Sequence, residues 1–167
     1  MVDAHVTFRE RAGYSHPNGT IDAGRTNEAI EMELSVGDEA PPLVVEDLSR
    51  TNFVRYAGAS GDFNPMHHDD TVATSVGNPS VFGHGMLTAG LMARVVKDWF
   101  GPEALRRFQV RFSKQVWPGE TLTCRATVTA LREDEGGGLA DLELLVENQD
   151  GEPKLTGSAT AAVPKGA

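Results

Sequence analysis

The 167-residue sequence predicts an α+β domain in which an antiparallel sheet wraps one long central helix. Three observations predict it. MLTAGLMARVVKDWF is apolar on nearly every side until Arg94, Lys97 and Asp98, the mark of a buried helix. Four later segments alternate apolar and polar residues with the period of two that a half-buried strand shows. Tight-turn signals, WPGE, EDEGGG and Asp150-Gly151, separate those segments.

The elements follow in order. Residues 1–30 mix charge, Gly, Pro and Asn without periodicity and read as an extension or arm; the domain proper is expected over 31–167. His5 and His16 lie in the arm and carry no assigned role. SVGDEAPPLVVEDLS reads as a short strand, a proline-marked turn and another extended piece. A helix then opens at the N-cap Ser49, with Leu48 placed to staple against Phe53. Phe53, Tyr56, Ala57 and Ser60 share a face, and Gly61 is the expected stop. DDTVATSVG reads as one or two helical turns with an aspartate cap, ended by Gly77. NPSVFGHG is a loop leading into the long helix, which ends at Gly101-Pro102. Phe108, Val110 and Phe112 mark the first strand, and Leu122 to Ala130 the second. Ala140 to Val146 and Leu155 to Val163 complete an expected antiparallel meander with one apolar face. Its inner face is rich in Ala and Gly, which suits either close approach of the helix or room for a ligand.

Composition narrows the function. A net charge of −9 argues against nucleic-acid binding, which needs a cationic surface. The amino terminus lacks the order of a signal peptide, and GMLTAGLMARVV is too short for a bilayer and holds Arg94, so a cytoplasmic protein off the membrane is expected. One cysteine, Cys124, permits no internal disulfide and suits the core.

GDFNPMHHDD, residues 61–70, crowds carboxylates, imidazoles and an amide around a proline just where a helix ends. Asp62 and His67 flank that bend. A carboxyl and an imidazole converging on one water can orient it, take a proton and return one elsewhere. Asn64 is suited to hold the bend by an Asx turn, and Pro65 fixes φ there. Gly85 presents a backbone N–H at the start of the long helix, suited to a carbonyl oxygen that develops negative charge. Read without function, the same stretch is a capped turn, with Asp69 and Asp70 as helix caps and His68 facing solvent. His84 reads as a structural histidine pinning its loop. Neighbouring residues in an extended segment point apart and cannot easily share an ion, so no metal is expected.

YAGASGDFNPMHHDD followed by FGHGMLTAGLMA resembles the signature of the MaoC-like hydratases and dehydratases, a likeness running from about Glu33 to Val163. The resemblance implies a hot dog fold, which agrees with the helix-and-sheet pattern. It implies reversible hydration of trans-2-enoyl thioesters to (3R)-hydroxyacyl thioesters, with no cofactor beyond the carrier in the substrate. Carried over position by position, Asp62 and His67 hold the water and handle the proton, Asn64 supports them, and the Gly85 N–H binds the thioester oxygen. Ala93 stands where some members place a serine lining the acyl pocket, so chain-length preference is open.

Such hot dogs pair, so a homodimer or a heterodimer with another hot dog subunit is expected. Arg106, Arg107, Arg111 and Lys114 form the most basic local run, suited to a CoA phosphate or an acyl carrier protein, or else a solvated strand edge. The acidic charge favours CoA. Two alternatives share the fold: an acyl-CoA thioesterase, and a subunit of a heteromeric dehydratase acting on carrier-protein substrates.

Overall fold

In the computed structural model, which describes residues 3–6, 34–134 and 137–163, six strands and three α-helices build the expected α+β arrangement. The strands are β1 (Asp3–Val6), β2 (Leu43–Val45), β3 (Leu105–Phe112), β4 (Leu122–Asp134), β5 (Gly137–Asn148) and β6 (Pro153–Val163). They form one antiparallel sheet in the order β1-β3-β6-β5-β4-β2. Helix α3 (Gly85–Phe100) packs against it, touching β2 to β6. Alternation builds the core: Leu122, Cys124 and Ala126 of β4 and Leu142, Leu144 and Val146 of β5 point at the helix side and are buried with Met92, Val95 and Val96 of α3.

Helix α1 (Arg50–Ser60) starts at Ser49, as expected. The Ser49 hydroxyl accepts the Asn52 N–H while the Asn52 side chain accepts the Ser49 N–H, a reciprocal capping box. Leu48 and Phe53 are both buried in the core, the places a hydrophobic staple gives them. Gly61 ends the helix at φ 75°, a left-handed conformation that glycine adopts without strain. Helix α2 (Asp70–Ser75) is capped by Asp69 and stops before Gly77.

Four expectations are corrected. The strands are not a plain meander, because β3 pairs with β6 instead of β4. The alternation of β4 breaks at a bulge between Val128 and Ala130, leaving Ala130 half-buried, and the strands run on into the expected turn, as far as Asp134 and Gly137. The arm is not all irregular, since Asp3–Val6 adds to the β3 edge as a strand; 7–33 lie outside the described residues. Helix α3 is not buried all round. One side faces the sheet, whereas Met86 is 47% exposed, Gly90 is exposed and Leu87, Leu91 and Ala93 are half-buried. A single sheet covers only one side of a helix, so among the described residues the second apolar side stays partly open.

Gly157 resolves one question that the small residues raise. A Cβ there would sit 2.2 Å from the Gln109 carbonyl oxygen on β3, so this glycine serves the close approach of two strands.

Candidate active site

The polar stretch leaves α1 at Gly61 and folds through local hydrogen bonds. Asp62 donates its N–H to the Ser60 hydroxyl at 3.3 Å, and its carboxylate accepts the Asn64 N–H at 3.2 Å. Asn64 Oδ1 accepts the Met66 N–H at 3.1 Å, the Asx turn expected of it, and Pro65 opens a 3₁₀ turn, Pro65–His67. That turn carries His67 inward to 8% exposure while Asp62, Asn64 and Pro65 stay at the surface. His68 is exposed, with Nε2 3.2 Å from the Phe63 carbonyl oxygen. Asp69 is a cap as expected, but Asp70 does more. It accepts the Val81 N–H at 3.1 Å and pairs with Arg50 at 2.6 Å, tying the loop before α3 to α1.

The tautomer of His67 follows from its partner. Nδ1 lies 2.7 Å from the Phe82 carbonyl oxygen, which only accepts, so Nδ1 carries the hydrogen and Nε2 offers a lone pair. Burial pushes the His67 pKa below 6.5, against the opposing pull of the Phe82 carbonyl. By the same logic His84 donates from Nε2 to the Asp62 backbone oxygen at 3.0 Å. Its Nδ1 is buried without a partner among the described residues. The His67 and His84 rings stack, with centroids 3.8 Å apart and planes 28° from parallel. The Tyr56 ring lies 5.0 Å from that of His84, and its hydroxyl pKa is raised by burial and by the charge of Asp62.

Asp62, His67 and His84 bring one potential ligand atom each within 4.8 Å of one another. Two imidazoles and a carboxylate are a familiar metal donor set. Imidazole lone pairs lie in the ring plane, however, and two stacked rings send theirs side by side instead of to one point. The arrangement suits a water and an organic substrate better than an ion.

Gly85 is the first residue of α3, so its N–H has no carbonyl a turn behind it. A Cβ at Gly85 would meet the Phe112 ring at 3.2 Å; the glycine is what lets that ring and the helix start lie together. Beside it opens a cleft of about 370 Å³, lined by Phe82, Gly85, Thr88, Phe112, Gln115 and Lys154 among others. Phe82 thus faces the cleft and anchors His67 through its carbonyl.

The basic run separates. Strand alternation sends Arg107 and Arg111 opposite to the buried Phe108 and Val110, and Arg106 bonds to the Glu103 carbonyl oxygen at 2.6 Å. Lys114 alone lines the cleft, paired with Glu152. Sequence reasoning missed Lys154, placed by alternation on the polar face. Its side chain is 1% exposed and Nζ donates to Glu120 at 2.7 Å, Glu152 at 2.6 Å and the Gln115 carbonyl at 3.1 Å. No sequence signal separates it from a surface lysine, since Gln115 and Glu120, two of its three partners, lie more than thirty positions away. His84 does pin its loop as expected, yet its second nitrogen is not satisfied.

Comparison with known proteins follows this geometry. The chain matches the MaoC-like domain model over residues 28–143. It is 32% identical over 135 residues to the (R)-specific enoyl-CoA hydratase of Aeromonas caviae, covering 80% of this chain and 98% of that one. The solved (R)-hydratase from A. caviae superposes with a TM-score of 0.69 at 30% identity, over 78% of this chain and 98% of that chain. The ChsH1–ChsH2 complex from Mycobacterium tuberculosis gives a TM-score of 0.70 at 26% identity, over 79% of this chain and 100% of that chain. The chain spans small parts of larger relatives: 15% of the peroxisomal multifunctional enzyme type 2 of Mus musculus and 12% of the peroxisomal hydratase-dehydrogenase-epimerase of Saccharomyces cerevisiae. To the yeast protein it is 42% identical over 124 residues, 74% of this chain. The architecture is the hot dog fold, and the chain belongs to the MaoC-like domain family.

Proposed function

We propose that this protein catalyses the reversible hydration of trans-2-enoyl thioesters to (3R)-hydroxyacyl thioesters. The observation that carries the reading is His67: buried, its Nδ1–H committed to the Phe82 carbonyl and its Nε2 lone pair left free, with a ring nitrogen within 4.8 Å of an Asp62 carboxylate oxygen. The names of the relatives, an (R)-specific enoyl-CoA hydratase among them, support the reaction class.

The steps follow from those groups. A water held between the Asp62 carboxylate and His67 Nε2 adds its oxygen to Cβ, and one of its protons passes to Nε2. Electron density moves to the thioester oxygen, where the Gly85 N–H at the positive end of α3 meets the developing charge. The imidazolium then returns the proton to Cα, and the elements of water have been added. Asp62 accepts a hydrogen bond from the second O–H of the water, whose hydrogen stays on the product hydroxyl, and offsets the charge on His67 during the transfer. Dehydration is the reverse sequence.

The cleft beside Gly85 is the place for the acyl thioester, and Lys114 is the member of the basic run placed to meet a carrier phosphate. The charge of −9 favours CoA over an acidic carrier protein. A second hot dog subunit completes the assembly: Met86 on the uncovered side of α3 and Phe63, 65% exposed beside Asp62, are apolar surface fit for a partner. The known heteromeric ChsH1–ChsH2 complex supports a partner of this kind, a second copy or a related chain.

The test is the enoyl absorbance of crotonyl-CoA and of a longer trans-2-enoyl-CoA, with wild type and His67→Ala. Loss of absorbance by wild type alone is expected. Steady release of free thiol instead would overturn the reading in favour of a thioesterase.

A further inference from the structure

We propose that His84 is a positioning residue for the acid–base pair, holding Asp62 through a hydrogen bond to its backbone and His67 through its ring face. This rests on the hydratase reading and extends it to a residue that acts through Asp62 and His67.

Three observations converge on the ring. Its Nε2–H reaches across 22 positions of sequence to the Asp62 carbonyl oxygen at 3.0 Å. Among the described residues the other bonds of Asp62 to Asn64 are short-range, to Ser60, to one another and to Met66, His67 and His68, so this bond ties the carboxylate-bearing loop to the head of α3. The ring stacks on that of His67, with centroids 3.8 Å apart, and covers one face of the imidazole, while Phe82 meets it nearly at right angles with centroids 5.0 Å apart. The third observation is the unpartnered Nδ1, in a residue 2% exposed. A histidine needed only for packing is replaceable by an apolar ring, and burying an idle polar nitrogen has a cost. The cost is explained if the Nε2 donor and the flat ring are both in use.

The two uses separate by substitution. Glutamine carries its amide nitrogen near the reach of Nε2, so His84→Gln keeps the donor to Asp62 and removes the ring. His84→Phe keeps the ring and removes the donor. His84→Ala removes both. The groups facing His67 are Asp62 from the loop after α1, His84 from the head of α3, His68 from its own turn and the Phe82 carbonyl, with Tyr56 behind His84. Losing the ring cover admits water to His67, and because burial is what lowers its pKa, the titration midpoint then rises.

Hydratase kinetics and the NMR titration of His67 read the two uses apart. His84→Phe is expected to lower kcat about 10- to 100-fold at little-changed KM, as a misplaced Asp62 would. His84→Gln is expected to stay within about threefold of wild type in kcat, with an upward shift of the His67 midpoint and of the acid limb of the rate profile. His84→Phe keeps the cover and loses only the smaller influence of the His84 charge, so its midpoint should rise less than that of His84→Gln, and His84→Ala should show both defects. Wild-type kcat in His84→Phe together with an unmoved midpoint in His84→Gln overturns the proposal. The titration needs no substrate, so it decides even if the wild type hydrates no enoyl thioester. In that case a midpoint that rises more in His84→Gln than in His84→Phe supports the positioning role, and one that rises equally in both or in neither overturns it.

Discussion

Lys154 Nζ lies 2.7 Å from Glu120 Oε1 at the wall of the cleft, and the lysine side chain is 1% exposed. Burial pulls the ammonium pKa down, yet hydrogen bonds to Glu120 and Glu152 outweigh it and leave the pKa raised. Glu120 also accepts the Asn148 amide at 2.9 Å and the Trp117 N–H at 2.9 Å, so the ion pair joins the turn before β4 to the β5–β6 hairpin. Lys154→Met strands a buried carboxylate. A loss of about 3 kcal/mol is expected in urea unfolding, at the low end for a broken buried pair because two neutral donors remain. Lys154→Met with Glu120→Gln should recover a large part of that loss, the signature of direct coupling.

The pH profile of the reaction follows from His67. Its folded pKa is lowered chiefly by burial, so the neutral ring that takes a proton from water persists below pH 6.5. The rate should be level through neutrality and fall only as pH drops through that lowered value. A kcat/KM profile on crotonyl-CoA checks this; an acid limb above pH 6.5 would contradict a buried His67 as the base.

Asp62→Asn separates chemistry from folding. The Asp62 carboxylate accepts one local hydrogen bond, from the Asn64 N–H, and an asparagine oxygen can accept the same bond. Thermal stability should hardly change. Activity should fall by about 10²–10⁴-fold, the range for losing a group that orients and charges a proton transfer. Wild-type rates would remove Asp62 from the mechanism.

How far the site was legible in the sequence depends on the range of the interactions. Asn64, Pro65 and Asp69 act through bonds two or three residues long, and their roles can be read from residue type and spacing. The Ser49 cap and the strand alternation are legible for the same reason. The tautomer of His67 is not, because Phe82, whose carbonyl sets it, lies 15 positions away. Lys154 looks like any strand lysine until β6 folds it over Glu120, 34 positions earlier by number. The uncovered side of α3 misleads in the opposite sense. A helix apolar all round reads as buried, but the described residues supply one sheet, which covers one side of α3 and leaves the other exposed or half-buried.

Gly85→Ala tests the oxyanion donor through geometry alone, since the backbone N–H survives the change. Alanine is the better helix former, worth up to about 1 kcal/mol at such a position. Against that, the new methyl would lie 3.2 Å from the Phe112 ring, close enough that the ring must give by a few tenths of an ångström. Phe112 is half-buried and lines the open cleft, so it has room to move and overall stability should be nearly unchanged. The displaced ring and the methyl both intrude where the thioester must approach the N–H. A rise in KM and a fall in kcat/KM of about tenfold or more are expected, of the order that a displaced substrate loses. The double variant Gly85→Ala with Phe112→Leu relieves the ring contact but not the methyl. Partial recovery in that variant would place the acyl group between Gly85 and Phe112, whereas no change from wild type in Gly85→Ala alone would move the oxyanion site elsewhere.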